Sequence, residues 1–389
     1  MTKLLVVTST FPGKAGDGTP QFVLDLTSRI ADLERVVVVT PRVPGAARFE
    51  VMEGIEVRRF AYFVRPIEGV AHGATLPNVR AQPWRVIELP FLFAAMLLAT
   101  IRAARSVGPD VIHAHWLLPS GAIAAAVPSR WRAPIVVTAH GVDMHSLKVA
   151  PLEMVRRWAL RRAAHVVAVS GDLRQRVHDL APSVSVEVLP MGTDLVEVAD
   201  AVGPRRPEPD KILFVGRLAD KKGVDVAIRA MSDLPRARLV VAGDGPEGPF
   251  LERLAIDIGV ADRVEFVGRV SRAQVFEQLS TCAVLVMPSV VGRDGDMEGT
   301  PVVLAEALAA GVPVVASRLG GIAEVLAAGG GWLVEPGDHR ALAGALGEAL
   351  GDPTELSQRG RVGKDHVAPS LDMANIAQRY RQIYAEVSG

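Results

Sequence analysis

Two glutamates stand eight residues apart in a segment whose composition predicts a strand, a loop and a helix. Glu298 lies in a loop rich in glycine and aspartate, and Glu306 lies within the predicted helix 302–310. Carboxylates accept paired hydrogen bonds from sugar or ribose hydroxyls. The first amides of a helix have no partner inside it and can bind an anion. One loop could thus hold a diphosphate between two hydroxyl-rich rings, although a plain surface loop with a solvated helix has the same spacing.

The elements around these glutamates predict a βαβ unit. The apolar run 282–287 is typical of a buried parallel strand. Thr300 and Pro301 are the expected N-cap and first helical residue, and Gly311 is the expected end of the helix. The run 312–316 is the next strand. Open α/β sheets bind ligands at the carboxyl ends of such strands, where Glu298 is expected.

A second candidate group is cationic. Arg217 and Lys222 follow the predicted strand 212–215 in the sequence FVGRLADKKG. Two cations at a strand end would neutralise the charge that grows on a departing diphosphate. A solvated basic loop is the commoner role of two adjacent lysines. The residues alone leave both interpretations open.

The segment from Glu298 through Gly-Thr-Pro to Glu306 and on to Ala316 resembles the E-x7-E signature of the retaining glycosyltransferases of family 4, which have the GT-B fold. The GR-x4-KG pattern that contains Arg217 and Lys222 is similar to the companion motif of that family, and Lys221 is then a bystander. The resemblance covers most of the chain and is strongest over residues 212–335. It implies an α/β protein with two Rossmann-like, doubly wound domains that face each other across a cleft.

The resemblance also implies residue roles. Arg217 and Lys222 would stabilise the departing nucleotide diphosphate, while Glu298 and His140 would position the donor sugar. Glu306 would bind the ribose. The remaining donor-binding groups are backbone groups of Gly18, Gly299, Thr300, Val302, Val303 and Val270. Pro301, where the family often has glycine, has no amide to donate.

Three histidines follow or end strands in the first half of the chain. His140 stands in TAHGVD, where the next glycine permits a turn that exposes the imidazole. The resemblance implies that such a histidine contacts the donor sugar near its primary hydroxyl. His115 is a weaker candidate, and His113 is predicted to belong to the core.

Alternating strands and helices predict two domains. The first domain is expected at 1–196, and the Pro- and Gly-containing stretch 197–210 is interpreted as a linker. The second domain is expected at 211–370. The C-terminal helix 371–389 would, by resemblance, cross back to the first domain. Strands are predicted at 4–8, 36–40, 53–60, 110–113, 135–138, 165–169, 186–189, 212–215, 239–242, 264–267, 284–287 and 312–316.

Composition limits the partners. Lys+Arg and Asp+Glu both total 43 in 389 residues, so nothing in the charge indicates nucleic acid. The lone Cys282, expected in a strand, excludes an intramolecular disulfide and fits a reducing compartment. The N-terminus lacks a signal-peptide pattern, so a cytoplasmic protein is expected. The apolar stretch 89–101 is too short to span a bilayer and predicts a buried helix.

The acceptor is expected to be a sugar or a lipid-linked sugar. The stretch 65–85 is predicted to be a loop on the acceptor side. Four arginines in the predicted helix 152–163 could touch anionic lipid at the inner face of the membrane, although a solvated helix is the commoner outcome.

Other chemistries remain as alternatives. Residues 243–248 match the G-x-G-x-x-G pattern of dinucleotide-binding proteins, which would fit an NAD-dependent oxidoreductase. Asp294 and Asp296 form a D-x-D pair that holds a divalent cation in another glycosyltransferase fold. We expect no metal and no cofactor, and a hexosyl transfer from a UDP- or GDP-sugar. A nucleotide-sugar epimerase or a non-catalytic sugar-nucleotide-binding protein of the same fold is the main alternative.

Overall fold

The structure is a computed structural model, and it contains two compact units. The first unit comprises residues 1–169, 173–189 and 374–389, and the second comprises 170–172 and 190–373. The predicted site residue Gly18 and the pair Asp294 and Asp296 lie outside the described residues. The structure describes residues 2–13, 21–31, 35–73, 75–141, 144, 149–293, 295 and 297–389.

An eight-stranded sheet forms the centre of the first unit. Its order is β3-β4-β2-β1-β5-β6-β7-β8, and every neighbouring pair is parallel except β3 with β4. Runs of buried valine and isoleucine explain why the strands form between two helical layers. The strands are β1 Lys3–Val7, β2 Arg35–Pro41, β3 Phe49–Met52, β4 Ile55–Phe60, β5 Val111–His115, β6 Ile135–Ala139, β7 His165–Ala168 and β8 Val186–Val188.

The helices of the first unit include one that the sequence reading missed. The stretch 65–85, predicted as a loop, contains α2, and Pro83–Ile87 forms a 3-10 turn after it. The helices are α1 Phe22–Ala31, α2 Thr75–Ala81, α3 Glu88–Val107, α4 Ala122–Ala126, α5 Ala150–Arg162, α6 Gly171–Leu180 and α15 Met373–Ser388.

Helix α3 corrects the prediction of a buried helix. One face, with Leu92 and Met96, is fully buried against the sheet. On the opposite face Phe91 and Leu98 are exposed. The prediction failed because the helix is apolar around its circumference, so its hydrophobic pattern does not identify the buried side.

A six-stranded parallel sheet forms the centre of the second unit, in the order β11-β10-β9-β12-β13-β14. The first strand of this unit, β9, lies between the second and the fourth, so the chain reverses its direction of progress between β9 and β12. Ligands of doubly wound sheets bind at this switch point. The strands are β9 Lys211–Val215, β10 Arg238–Ala242, β11 Val264–Gly268, β12 Val284–Met287, β13 Val314–Ser317 and β14 Gly331–Val334.

The first helix of the second unit, residues 195–202, overlaps the start of the predicted linker 197–210, so that prediction is wrong for residues 197–202. Asp194 caps α7 by accepting hydrogen bonds from the amides of Val196 and Glu197. Val198 and Val202 of this helix are buried in the core of the unit. The helices are α7 Leu195–Val202, α8 Val224–Ala230, α9 Gly248–Asp257, α10 Arg272–Thr281, α11 Val302–Ala309, α12 Gly320–Leu326, α13 His339–Gly351 and α14 Pro353–Val362.

Two predicted boundaries near the glutamates shift by one or two residues. Pro301, with an extended ψ of 139°, is the N-cap of α11, so Thr300 is not the cap and the helix begins at Val302. Cys282 follows the end of α10 instead of lying in β12, and it is buried. The order and type of the elements agree with the predicted doubly wound pattern.

Candidate functional site

Oppositely charged side chains meet at the switch point of the second unit. Lys222, in the turn after β9, places Nζ 2.9 Å from Oε2 of Glu298, in the loop after β12. The Nζ of Lys221 lies 3.5 Å from the other carboxylate oxygen. Lys222 and Glu298 thus come together as their strand positions predicted. Lys221, interpreted as a bystander, is a second partner of the same carboxylate.

The two loops are joined by backbone contacts. The amide of Val290 donates to the carbonyl of Lys221 at 2.9 Å. Gly223 has φ +61°, and a Cβ at this position would overlap the carbonyl of Pro288. Only glycine allows this approach without displacement of the backbone. The lysine pair is therefore held against the loop that carries Glu298.

Glu298 is an ionised carboxylate in a buried position. Burial raises the pKa of its carboxyl group, but the ammonium groups of Lys222 and Lys221 outweigh that effect and lower the pKa to about 2. At neutral pH the group accepts hydrogen bonds and does not donate a proton. Its chemistry is that of a fixed acceptor for hydroxyl groups.

The start of α12 supports the other side of the Glu298 loop. A Cβ on Gly320, which has φ +49°, would lie 2.6 Å from the carbonyl oxygen of Glu298. A Cβ on the next glycine, Gly321, would overlap the hydroxyl of Thr300 and lie 2.9 Å from the carbonyl oxygen of Gly299. This support was not predicted, although a Gly-Gly pair four residues after the end of the predicted strand 312–316 could have indicated a close approach of two loops.

Glu306, on α11, meets a cation that the sequence reading also missed. The Nε of Arg272 lies 3.3 Å from Oε1 of Glu306, and Glu306 is buried. The same guanidinium lies 3.1 Å from the carboxylate of Glu197 and donates to the hydroxyl of Thr193 at 3.2 Å. Arg272 thus orients the carboxylate that the resemblance assigns to the ribose.

Arg217 differs from the lysines because its side chain is exposed. Among the described residues it has no ion pair or side-chain hydrogen bond. A Cβ on Gly216, the residue between β9 and Arg217, would lie 3.5 Å from Nζ of Lys222. The ammonium group of Lys222 thus lies close to the end of β9. Arg217 and Lys222 are therefore neighbours at the end of β9, as the sequence predicted.

The remaining donor-binding candidates of the second unit surround these side chains. Thr300 is buried, while Gly299, Val302 and Val303 are partly exposed. Val302 and Val303 open α11, so their amides have no acceptor within the helix. Val270 lies on the loop after β11, two residues before Arg272, and packs against the core.

The G-x-G-x-x-G pattern has a structural explanation in this unit. Its loop is hydrogen-bonded to the neighbouring turn, because the amide of Leu218 donates to Asp244 and the amide of Glu247 donates to Leu218. The turn that carries Arg217 thus fills the space beside this loop that a bound dinucleotide would need.

His140 lies in the first unit, in a cluster of aromatic side chains at the ends of β5 and β6. Its Nε2 is 3.0 Å from Nδ1 of His115. The rings of Phe22 and Trp116 lie 4.8 and 4.9 Å from its ring centre. Trp116 has φ +68°, which is uncommon for a residue with a side chain. Phe22 and Trp116 were not among the predicted site residues.

The histidines of this cluster are neutral. Burial lowers the pKa of His115 to about 3. Burial and then the nearby His115 lower the pKa of His140 well below its ordinary value. His113 is buried in mid-strand, as predicted, and its Nδ1 and Nε2 contact the hydroxyls of Tyr384 and Thr138, both at 2.8 Å. The hydroxyl of Tyr384 thereby links α15 to β5.

Metal binding has no support in the part of the chain that the structure describes, where no group of three or more His, Cys, Asp or Glu side chains stands ready to hold an ion. The D-x-D pair is outside that part.

The two units, each built on a doubly wound parallel sheet, define the GT-B fold. Sucrose-phosphate synthase from Thermosynechococcus elongatus has a TM-score of 0.79 at 22% identity, and 99% of each chain is covered. Anabaena HepE, solved with UDP-glucose, has a TM-score of 0.71 at 19% identity over 99% of this chain and 100% of that one.

Sequence comparisons identify the family. The glycosyltransferase family 4 domain matches residues 16–197, and the domain called glycosyl transferases group 1 matches residues 197–365. Glycogen synthase of Mycobacterium tuberculosis is 28% identical over 98% of this chain and 94% of its own. D-inositol 3-phosphate glycosyltransferase of Mycolicibacterium smegmatis is 30% identical over 81% and 78%. The chain belongs to the group 1 glycosyltransferases of family 4.

Proposed function

We propose that this glycosyltransferase moves a hexosyl group from a UDP- or GDP-sugar to a sugar or a lipid-linked acceptor, with retention of the anomeric configuration. One observation carries the proposal. Lys222 and Glu298 pair at 2.9 Å, and Glu298 lies four residues before Val302, the first residue of the helix that bears Glu306. Cations, free amides and hydroxyl acceptors are thus combined in the loops that follow β9 and β12. The HepE complex with UDP-glucose supports a nucleotide-sugar donor.

Arg217 and Lys222 would stabilise the departing diphosphate. An ammonium group has three N–H donors, and Glu298 uses one of those on Lys222. The others can meet phosphate oxygens, together with the exposed guanidinium of Arg217. Fixed cations at the leaving group favour the transition state, where the phosphate charge is largest.

Glu298 would hold the donor sugar as an acceptor. Because its pKa is about 2, it cannot protonate the leaving group at neutral pH. The neutral ring of His140 would hydrogen-bond the sugar near its primary hydroxyl. With no proton donor among these groups, charge neutralisation by the cations has to promote departure.

Glu306 would bind the ribose hydroxyls while Arg272 holds its carboxylate from the side. The amides of Gly299, Val302 and Val303 would meet the sugar and the diphosphate, and buried Thr300 would shape the loop. Backbone groups at Val270 would contact the base.

The lipid-linked acceptor and a position at the inner face of the membrane are further parts of the proposal. Retention rests on the resemblance of the Glu298–Glu306 segment to retaining enzymes. No covalent nucleophile is assigned, so we propose a same-face displacement assisted by the departing phosphate.

Nucleotide release from a panel of UDP- and GDP-sugars, with oligosaccharide and lipid-linked acceptors, tests the proposal. We expect acceptor-dependent release and, by NMR, a product with the anomeric configuration of the donor. Arg217→Ala should lower turnover about a hundredfold, while Arg236→Ala, at another exposed arginine, should not. Conversion of the donor without acceptor would indicate an epimerase, and a nicotinamide-dependent absorbance change would indicate an oxidoreductase. Either result contradicts the proposal.

A further inference from the structure

Helix α3 and the turn before it expose an apolar strip. Ile87, Phe91 and Leu98 are 59%, 52% and 50% exposed. Their spacing of four and seven residues places them on one face of the helix. Trp84 and Val86, in the preceding turn, extend the exposed apolar area. Exposed aromatic and aliphatic side chains in a row mark a surface for contact with an apolar environment.

The other face of α3 fixes the orientation of this strip. Leu92, Met96 and Val107 are buried, and the helix packs against β1, β2 and β4. The segment 83–107 is long and apolar enough to cross a membrane by length and composition. Because the inner face of α3 packs against the sheet, only the outer face of the helix is available for contact with a partner.

Arginines stand at the C-terminal end of the strip. Arg102 and Arg105 are exposed. The guanidinium of Arg105 lies 4.9 Å from the ring centre of Trp131, and that of Arg130 lies 3.9 Å from the same ring. The end of the strip is therefore an aromatic side chain flanked by cations.

Negative charge is missing from the exposed side of this segment. Glu88 is the one acidic residue in positions 83–107, and it is fully buried. It pairs with Arg85 at 2.8 Å and accepts the amides of Gly69 and Val70. The exposed face is consequently apolar and basic.

We propose that this strip, Trp84 to Leu98 with Arg102, Arg105 and Arg130, docks the protein on an anionic lipid bilayer. Aromatic and aliphatic side chains would enter the headgroup boundary, and the arginines would meet lipid phosphates. The charge pattern favours this partner over a second copy of the chain. A second copy would bring the same cations and no exposed carboxylate from this segment to pair with them.

The basic helix α5 contributes less than its sequence suggests. Arg156 is buried. Arg157 donates to the carbonyl of Leu180, and Arg162 donates to the carbonyl of Ala125. Its arginines are therefore largely bound to the protein, and α3 is the better docking element.

Co-sedimentation of the full chain with lipid vesicles tests the surface, and it requires no turnover. We expect binding to vesicles of phosphatidylglycerol and phosphatidylcholine in equal parts, weak binding to phosphatidylcholine alone, and loss of binding at high salt. Phe91→Gln with Leu98→Gln should weaken binding more than about tenfold. Arg102→Gln with Arg105→Gln should weaken it about fivefold for each arginine.

The control is Ile256→Gln, which replaces a side chain that is 67% exposed in the second unit, and it should bind as the parent does. Circular dichroism would verify that all variants fold. Equal binding of the parent and the Phe91/Leu98 variant would overturn the proposal. A lipid-free dimer, seen by sedimentation velocity and dissociated by the same variant, would also overturn it, because the strip would then be covered by a second copy.

Discussion

The histidine cluster of the first unit (His113, His115 and His140) and the ion-pair cluster of the second unit (Lys221, Lys222, Glu298, Arg272 and Glu306) occupy equivalent places. Both lie at the carboxyl ends of strands in doubly wound sheets. Their electrostatics are opposite. Burial keeps the histidines neutral, because no opposite charge offsets the cost of burying the protonated ring. The lysines, in contrast, keep Glu298 ionised although it is buried. The same fold position thus supports a neutral hydrogen-bonding site or a charged one, according to the partners that the neighbouring loop supplies.

The largest effect is expected in the ion-pair cluster. Lys222→Met should lower turnover by about 10² to 10³, because the leaving diphosphate would lose a fixed cation. Steady-state release of nucleotide measures the effect. Lys221→Met should cost about tenfold or less, since the second lysine lies farther from Glu298, at 3.5 Å. Lys364→Met, at an exposed site, is the control. Parental turnover in the Lys222→Met variant would contradict the proposed functional difference between the two clusters.

Arg272 tests the positioning of Glu306. Arg272→Leu should weaken UDP or GDP binding about tenfold, because Glu306 loses the guanidinium that forms an ion pair with it and orients it. The loss should be smaller for the 2′-deoxy nucleotide, whose ribose contact is already reduced. Calorimetric titration measures both affinities. Arg272→Lys should recover part of the discrimination.

The control for this prediction is Arg238→Leu, which removes an arginine held by Glu208 and Glu265. It should leave both affinities unchanged. If Arg272→Leu weakens the two nucleotides equally, the residue has a structural role and does not position Glu306.

The pH dependence of stability should come from the histidine cluster. A buried histidine with a lowered pKa stays neutral in the folded state, while the unfolded state binds a proton below its ordinary pKa of 6.5. Stability is therefore complete above pH 6.5 and falls as the pH drops toward 3. Between pH 7.5 and 5.5 each histidine should cost about 1.4 kcal/mol in the free energy of unfolding.

Glu298 contributes almost nothing in that range, because its stabilisation is lost only as the pH falls from 4.5 toward 2. Urea unfolding at the two pH values provides the measurement. His115→Gln should reduce the pH-dependent difference, whereas His366→Gln, at an exposed site, should not. A difference that is the same in all three proteins would contradict the assignment.

The smallest expected effect is at the hydroxyl of Tyr384. Tyr384→Phe removes the hydrogen bond to Nδ1 of His113 and should cost about 1 kcal/mol of stability. Thermal unfolding measures the change. Turnover should stay within about twofold, since the ring of His140 keeps its bond to His115. A large loss of turnover would show that α15 positions His140 and does more than stabilise the unit.

The sequence predicted what depends on strand order. Buried runs of valine identified the strands, and the loops after β9 and β12 could be expected to meet because parallel strands share an edge. This is why Lys222 and Glu298 were found together. The partner of Glu306 could not be found this way, because the meeting of Arg272 with Glu306 depends on how α10 and α11 each pack against α7.

Two other differences have local causes. The linker predicted at 197–210 overlaps the helix 195–202 because proline and glycine are frequent in that stretch, although Asp194 followed by Glu197 is a helix-start pattern. The sequence of α3 does not show which face of the helix is exposed, because the helix is apolar on both sides.

Titration of UDP and GDP into the parent protein, Lys222→Met and Glu306→Gln tests the central claim most directly, that the ion-pair cluster grips a nucleotide diphosphate. We predict binding of one of the two nucleotides to the parent and at least about tenfold weaker binding to each variant. Affinities that are the same in the parent and both variants, or no binding of either nucleotide to the parent, would contradict the claim.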